Sequence, residues 1–170
     1  KLITRATSHA ELIQSTCDIL TEARGYNLAW IALLDGDGSL ISYAMLGAPS
    51  QAAGLVTALE RDILPICAQE ALQQDDVVIT YNPNDECHAC ALRNEYENSA
   101  AVTVRLHYAG RTYGVLTVSI PLPFVDDEQE ISLFQDVAGD IAYALHNLDL
   151  KAARHEAETA LRAQRDRAQR

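Results

Sequence analysis

Residues 124–170 read FVDDEQEISLFQDVAGDIAYALHNLDLKAARHEAETALRAQRDRAQR and predict one continuous helix from Asp126 to Arg170. Asp126 is suited to cap this helix by accepting a backbone N–H, and the acidic residues that follow stabilise the positive end of its dipole. Apolar residues then recur at spacings of three and four, as on the buried face of an amphipathic helix. This apolar seam comprises Ile131, Phe134, Ala138, Ile141, Leu145, Leu148 and Ala152. The seam predicts that the first half of the helix packs on a globular domain.

The second half of the helix has too little apolar surface to pack by itself. Beyond Leu148 the pattern thins to alanines and Leu161 among charges, and an isolated helix of that length is only marginally stable in water. We therefore expect residues past about 155 to be ordered by a dimer partner. The resulting division is a domain over 1–150 and a coiled-coil-like linker over 151–170, which leads toward an output module outside this sequence.

Composition and charge exclude several classes of protein. The 170 residues are 48% apolar, which suits one packed domain with an appendage. No apolar run approaches the roughly 18–20 residues that span a bilayer, and we expect none of these residues to form a signal peptide. The net charge of the whole sequence is −11, and residues 1–150 carry about −14 of it, since residues 151–170 contain six Lys or Arg and three Asp or Glu, a net +3. An acidic domain argues against nucleic-acid binding, and we expect a cytoplasmic fragment without membrane contact.

The first third of the chain predicts a helix followed by a β-hairpin. Ser8 and Glu11 form a capping box at the start of an amphipathic helix over 8–24. Two apolar runs, 28–34 and 40–46, then flank the turn sequence Asp-Gly-Asp-Gly at 35–38. Because 28–34 is apolar on both alternations, we expect a central strand that is covered on both faces.

The remainder predicts a helical excursion and a second hairpin. Helices are expected over 52–62 and 65–74, a short edge strand over 77–80, and a loop over 81–86. A further short helical stretch is expected to start at Cys87. Two strands are then expected over 100–108 and 111–120, joined by Ala109-Gly110. Alternation along the second of these strands places Tyr113, Val115, Thr117 and Ser119 on one face. Two hairpins bracketed by terminal helices predict an α+β fold, with helices on the faces of an antiparallel sheet.

The order of these segments and their amino-acid sequences resemble the GAF domain of bacterial signalling proteins. The matching stretches are GYNLAWI at 25–31, GRTYGVLTV at 110–118 and residues 124–145. The sequence is similar to GAF modules found beside PAS domains in sensor histidine kinases and diguanylate cyclases, and the resemblance covers about 8–150. It implies a PAS-like central antiparallel sheet that holds a small molecule under the excursion. It also implies terminal helices that form a homodimer and a long C-terminal signalling helix.

The resemblance implies a sensing function without catalysis by this domain. We expect a small-molecule- or cofactor-sensing module of a two-component or related signalling protein. Residues 47–98 would cover the ligand, and a pocket of this kind needs a few polar groups in its walls. The candidate ligand-binding residues are Tyr43, Cys67, Arg105, Thr117 and Ser119.

Three cysteines and one histidine of the excursion form a candidate site for metal binding or thiol redox chemistry. Cys87 and Cys90 form a Cys-x-x-Cys motif that we expect at a helix N-terminus, where the dipole favours thiolates. The candidate metal ligands are Cys67, Cys87, His88 and Cys90, with His107 as another possible fourth group. Such a set suits tetrahedral zinc or another thiophilic cofactor. Redox-active thiols and thiols that are merely packed remain alternatives, whereas Cys17 lies on the apolar stripe of the first helix.

Three specialised GAF functions and a purely structural spacer are the remaining hypotheses. A free methionine sulfoxide reductase would use Cys67 with Cys87 or Cys90, but Thr80 and Ala100 stand where its substrate-binding carboxylates are wanted. A bilin photosensor is similar in the dipeptide Cys87-His88, although the aromatic and Asp-rich surroundings of a bilin are missing. Cyclic-nucleotide binding is matched only by the Phe and Asp-Glu at 124–128, which helix capping also explains.

Overall fold

The computed structural model describes residues 8–47 and 52–170, and its elements confirm the α+β fold. Residues 1–7 and 48–51, which include part of the predicted excursion, lie outside the described residues. The helices are α1 (His9–Glu22), α2 (Ala52–Glu60), α3 (Ile66–Ala71), α4 (Pro83–Glu86) and α5 (Glu128–Ala168). The strands are β1 (Ala29–Leu34), β2 (Leu40–Leu46), β3 (Val78–Thr80), β4 (Ser99–Tyr108) and β5 (Arg111–Pro121). Single 3₁₀ turns occupy Arg93–Glu95 and Leu122–Phe124.

The five strands form one antiparallel sheet in the order β2-β1-β5-β4-β3. All six residues of β1 are buried, as the apolar run predicted. Ile31 packs in a core with α1 and α5, whereas Trp30 packs in a core with α2 and α3. The sheet therefore separates two apolar layers, and β3 is an edge strand as predicted.

Helices α1 and α5 cover one face of the sheet. The Ser8 hydroxyl accepts the backbone N–H of Glu11 at 3.2 Å, which confirms the predicted cap of α1. Cys17 is completely buried on the stripe of α1, so its thiol is a core group. Phe134 and Leu145 of α5 are equally buried. Burying each such side chain contributes about 1.5–3 kcal/mol to folding, and this layer anchors the first half of the long helix.

The start of α5 differs from the prediction by one residue. Asp127, not Asp126, is the N-cap, and its carboxylate accepts the N–H of Gln129 at 2.9 Å. A 3₁₀ turn over Leu122–Phe124 precedes the helix, and the first helical residue is Glu128. Asp126 instead accepts a 2.9 Å hydrogen bond from the Tyr81 hydroxyl, which ties the excursion to the start of α5.

Strand β5 contains an irregularity that reverses one predicted side-chain direction. The register passes from the Leu106–Gly114 pair to the His107–Thr112 pair, so Tyr113 has no partner on β4. Tyr113 was predicted on the same face as Val115, but it packs with the α1–α5 core. Gly114 has φ +155°, and a Cβ there would lie 2.0 Å from the carbonyl oxygen of Ala32. Only glycine permits this approach of two strands.

Helix α5 leaves the domain at the position that its apolar pattern indicated. Four residues of the predicted seam are buried, namely Phe134, Ala138, Ile141 and Leu145. Leu148 is partly buried, and every residue from Leu150 to Arg170 is exposed. The single helix over Glu128–Ala168 confirms the continuous element, while its ordering by a partner stays a prediction.

Candidate ligand and thiol site

The face of the sheet under the excursion carries a cross-strand row with two buried hydroxyls. Trp30 pairs with Thr117, and Thr117 pairs with Thr103 on β4. The two threonine hydroxyl oxygens lie 2.8 Å apart and are hydrogen bonded, with both residues fully buried. Thr117 thus lies on the excursion face, and its hydroxyl joins β4 to β5.

Ser119 lies on the same face and also joins two strands. Its hydroxyl oxygen accepts the backbone N–H of Leu28 at 3.1 Å, and the residue is buried. This bond adds to the one from the Ser119 N–H to the Leu28 carbonyl, at 3.0 Å. Ser119 thus supports the end of β1, next to the apolar layer beneath α2 and α3.

Tyr43 and Arg105 lie at the two ends of another row. Ala32 pairs with Tyr43 on one side and with Val115 on the other, and Val115 pairs with Arg105. Tyr43 is 38% exposed on edge strand β2. Arg105 forms an ion pair with Asp75, while its Nε is buried without a hydrogen-bond partner among the described residues. Tyr43 and Arg105 therefore lie on the same face of the sheet but three strands apart, toward its opposite edges.

A cavity of about 240 Å³ lies between α2, the start of α3 and the turn that carries the Cys-x-x-Cys motif. Its wall is mostly apolar and includes Leu55, Ile63 and Ile66. Cys87 and Cys90 lie in the wall, as does the amide of Gln69, which donates to the Leu64 carbonyl at 2.8 Å. The lining residues do not include Tyr43, Cys67, Arg105, Thr117 or Ser119.

The Cys-x-x-Cys motif lies after a helix rather than at the start of one. Pro83 begins the single-turn helix α4, and the Cys87 N–H bonds to the Pro83 carbonyl at 2.9 Å as the helix ends. The expected stabilisation of thiolates by a helix N-terminus is therefore absent at Cys87. Burial raises the pKa of Cys87 to about 11, with further contributions from Cys67, Cys90, Glu86 and Glu70.

The other two thiols of the excursion also have raised pKa values. Burial is the main cause at Cys67 and at Cys90. The negative charge of a Cys90 thiolate raises the pKa of Cys67 further, whereas a hydrogen bond with the Thr103 side chain lowers it. The three sulfurs are thus close enough to interact electrostatically. All three thiols are free and partly buried.

The predicted metal site is only partly assembled by the fold. His88 is exposed, and its carbonyl accepts a hydrogen bond from Arg93 at 3.3 Å. Within residues 8–47 and 52–170, no group of three or more Cys, His, Asp or Glu side chains is arranged to hold a metal ion. His107, the other suggested fourth group, bonds instead to Thr112 at 3.2 Å. The thiolate-bound metal therefore stays a prediction.

Two residues of this region had no signal in the sequence. Tyr96 is buried beside the thiols, and burial raises its pKa well above the usual range. Gly54 brings α2 close to the cysteine turn, since a Cβ there would lie 2.7 Å from the Cβ of Ala91. A tyrosine and a helical glycine are common in any domain, so only the tertiary contacts identify these roles.

The start of β5 and the start of α1 bind α5 near the point where that helix leaves the domain. Asp149 accepts from Arg111 of β5 at 3.0 Å and contacts the His9 ring of α1 at 2.8 Å. The Tyr113 hydroxyl lies 3.0 Å from Nδ1 of His146. His9 and His146 both contact the junction of α1, β5 and α5.

This architecture, a five-stranded antiparallel sheet with a helical excursion on one face and terminal helices on the other, defines a class of sensor-type domain. The model of the GAF domain family matches residues 6–146, and the chain belongs to this family. No curated protein shows significant sequence similarity to the chain. Among the described residues, no helix has both the length and the apolar character needed to cross a membrane.

Solved structures share the fold at low sequence identity. A GAF domain/HD domain protein from Geobacter sulfurreducens has a TM-score of 0.63 and 15% identity, covering 87% of this chain and 98% of that one. Free methionine-R-sulfoxide reductase from Neisseria meningitidis, in complex with its substrate, has a TM-score of 0.61 and 16% identity, covering 88% of this chain and 85% of that one. The GAF domain of an Acinetobacter phosphoenolpyruvate-protein phosphotransferase has a TM-score of 0.61 and 14% identity, covering 87% of this chain and 88% of that one. These likenesses show the fold alone.

Proposed function

We propose that this GAF domain is a regulatory sensor that binds a small molecule or cofactor beneath the excursion and transmits its state through α5 in a homodimer. The observation that carries the proposal is that strand β5 contacts both regions. Thr117 lies on the excursion face, whereas Arg111 and Tyr113 of the same strand hold α5. One strand thus connects the proposed input to the proposed output.

The cavity supports a small and mostly apolar ligand. Its volume of about 240 Å³ is below the roughly 300–1,000 Å³ of sites that hold drug-sized molecules. Leu55, Ile63 and Ile66 supply apolar contacts, and Ile63 and Ile66 are more than half exposed without a ligand. A ligand that covers them would gain about 25 cal/mol for each Å² of apolar area removed from water. The two isoleucines are therefore the expected apolar contacts of the ligand.

Transmission requires that the ligand bind two states of the domain with different affinities. A shift of α3 would be felt by β4 and β5, which α3 contacts directly. Movement of β5 along its axis would then act on α5 through the Arg111–Asp149 ion pair and the Tyr113–His146 hydrogen bond. These contacts lie just before the point at which α5 leaves the domain.

A dimer would cover the apolar groups that α5 exposes beyond the domain. Tyr143 and Leu150 are seven residues apart and about half exposed, and Leu161 continues the exposed apolar surface. A spacing of seven is that of one position in a coiled coil. The Arg154–Glu158 ion pair at i, i+4 supports the exposed helix between them. Pairing of two α5 helices is therefore the proposed output.

The alternative is a reductase that uses Cys67 with Cys87 or Cys90, and the structural likeness to the Neisseria enzyme favours testing it. The thiolate is the nucleophile in such chemistry, but all three thiols have raised pKa values. The raised pKa values leave little thiolate at neutral pH, so such chemistry would be slow there. Turnover of free methionine sulfoxide with a dithiol reductant would instead establish the enzyme.

The proposed function is tested on the full chain in two measurements. Sedimentation should show a concentration-dependent dimer, and a thermal-shift screen of small molecules and metal ions should find a stabilising ligand. With that ligand bound, amide exchange in α5 beyond Leu150 should change. Asp149→Asn should weaken this effect, whereas Asp140→Asn, at an exposed position of the same helix, should retain it. A monomer at high concentration with rapid exchange throughout residues 151–170 would contradict the proposal.

A further inference from the structure

The turn at residues 87–90 brings two cysteines within the Cα separation that a disulfide requires. The Cys90 N–H bonds to the Cys87 carbonyl at 3.4 Å, with His88 and Ala89 as the central residues of the turn. The first and last Cα atoms of a β-turn are less than about 7 Å apart, and a disulfide needs about 4.4–6.8 Å. Cys87 and Cys90 can therefore be joined with little movement of the backbone.

The same two cysteines line the cavity. Cys87 and Cys90 lie in its wall, as do Ile63 and Ile66, so a small organic molecule in the cavity lies against both residues. The remaining cysteines differ in access. Cys67 is not in the wall, and Cys17 is completely enclosed by the α1–α5 core. The chain thus contains one accessible dithiol and two reference thiols.

We propose that Cys87 and Cys90 form a thiol–disulfide exchange site for small aliphatic disulfides that enter this cavity. In the first step the Cys87 sulfur, after losing its proton to water, attacks one sulfur of the disulfide RSSR and releases RSH, leaving a mixed disulfide on Cys87. In the second step the deprotonated sulfur of Cys90 attacks the Cys87 sulfur, which releases the second RSH. Overall, the two protein thiols are oxidised to a disulfide, and one RSSR is reduced to two RSH.

The surroundings of the dithiol select the charge of its co-reactant. Glu86 ends helix α4 beside Cys87, and Glu70 of α3 also acts on the Cys87 sulfur electrostatically. Both carboxylates are exposed, so their field reaches the cavity entrance. They repel anionic disulfides and leave neutral or cationic ones unhindered. The co-reactant class is therefore a neutral or cationic small disulfide rather than one that carries carboxylates.

This exchange is independent of the proposed function, and only its effect on α5 would rest on it.

The first experiment locates the product on the full chain. The protein is incubated with bis(2-hydroxyethyl) disulfide, and intact mass and peptide mapping are recorded. The expected product has lost two hydrogens and contains a Cys87–Cys90 disulfide, in the wild type and in Cys67→Ser. Cys90→Ser should stop at the mixed disulfide on Cys87, and its melting temperature shows whether it is folded. A disulfide mapped to Cys67, or modification that appears only after unfolding, would overturn the proposal.

The second experiment tests the selection by charge. At low salt, the neutral reagent should react at least about threefold faster than its dicarboxylate analogue, dithiodiglycolate, after correction for their intrinsic rates, and salt should reduce the ratio. Glu70→Gln combined with Glu86→Gln should bring the ratio close to one. Glu60→Gln, at an exposed position on α2, should leave it unchanged. Equal rates for both reagents in the wild type would overturn the assigned class of co-reactant.

Discussion

The two faces of the sheet are packed in different ways. On the α1–α5 face, large apolar side chains such as Phe134 and Leu12 fill the layer, and the single thiol there is fully enclosed. On the excursion face, small residues such as Ala68 and Ala71 alternate with Trp30 and with buried hydroxyls, and a cavity remains beneath short helices. We infer that the first face holds α5 rigidly, whereas the second can rearrange around a ligand. The domain thus separates its rigid and its adaptable layers by one sheet.

Matched leucine truncations provide the largest test of this difference. Leu145→Ala on α5 should destabilise the domain by about 3–5 kcal/mol, because the closed layer cannot collapse onto the space created. Leu55→Ala on α2 should cost clearly less, about 2 kcal/mol, since local opening of the short excursion limits the loss. Urea unfolding followed by circular dichroism measures both values. Equal losses with equal m-values would show that the two layers unfold as one rigid unit.

Helical glycines on the two sides of the sheet give a smaller effect of opposite sign. Gly139→Ala on α5 should stabilise by about 0.5–1 kcal/mol, because the new methyl group meets nothing within 4 Å and alanine favours helix. Gly54→Ala on α2 gains the same propensity, but its Cβ would lie 2.7 Å from that of Ala91. Displacement of the cysteine turn should make this variant neutral or destabilised by about 1 kcal/mol. Thermal unfolding compares the two, and equal stabilisation would mean that α2 is free to move away.

The sequence indicated the rigid layer better than the adaptable one, for a physical reason. A buried strand or an amphipathic helix repeats its apolar residues along the chain, so β1 and the seam of α5 as far as Leu148 were predicted correctly, whereas Ala152 is exposed. The cavity depends on the approach of Gly54 to Ala91, which are 37 positions apart and follow no local pattern. The direction of Tyr113 likewise depends on an irregularity between β4 and β5.

The thiol motif illustrates how a one-turn helix can displace a predicted site. The sequence YNPNDE indicated a loop, but Pro83 is favoured at the first position of a helix and begins α4 there. Cys87 consequently follows a helix C-terminus, and its pKa is raised instead of lowered. The proximity of Cys67, Cys87 and Cys90 was anticipated from their placement in the excursion. Their protonation state was not, because it depends on burial and on Glu70 and Glu86.

Alkaline pH provides the smallest test of the contrast between the enclosed thiol and the accessible ones. Burial, with a minor contribution from Asp18, raises the pKa of Cys17 from 9.0 to about 12 in the folded protein. The stabilisation from keeping this thiol neutral is complete below pH 9 and is lost as the pH rises toward 12, because the unfolded chain ionises first. Stability should fall by at most about 1.4 kcal/mol per pH unit from this one group.

Comparison with Cys17→Ala isolates this contribution. Truncation should cost about 1 kcal/mol at pH 7, as expected for a small buried group, and the deficit should shrink by about 1 kcal/mol by pH 10 because the variant has no thiol to ionise at this position. Tyr26, whose pKa is also raised to about 12 by burial and by the Glu130 carboxylate, is present in both proteins and cancels in the difference. Urea unfolding at pH 7, 9 and 10 measures the effect. A constant deficit across that range would mean that water reaches Cys17 in the folded state, and the α1–α5 face would then be as open as the excursion face.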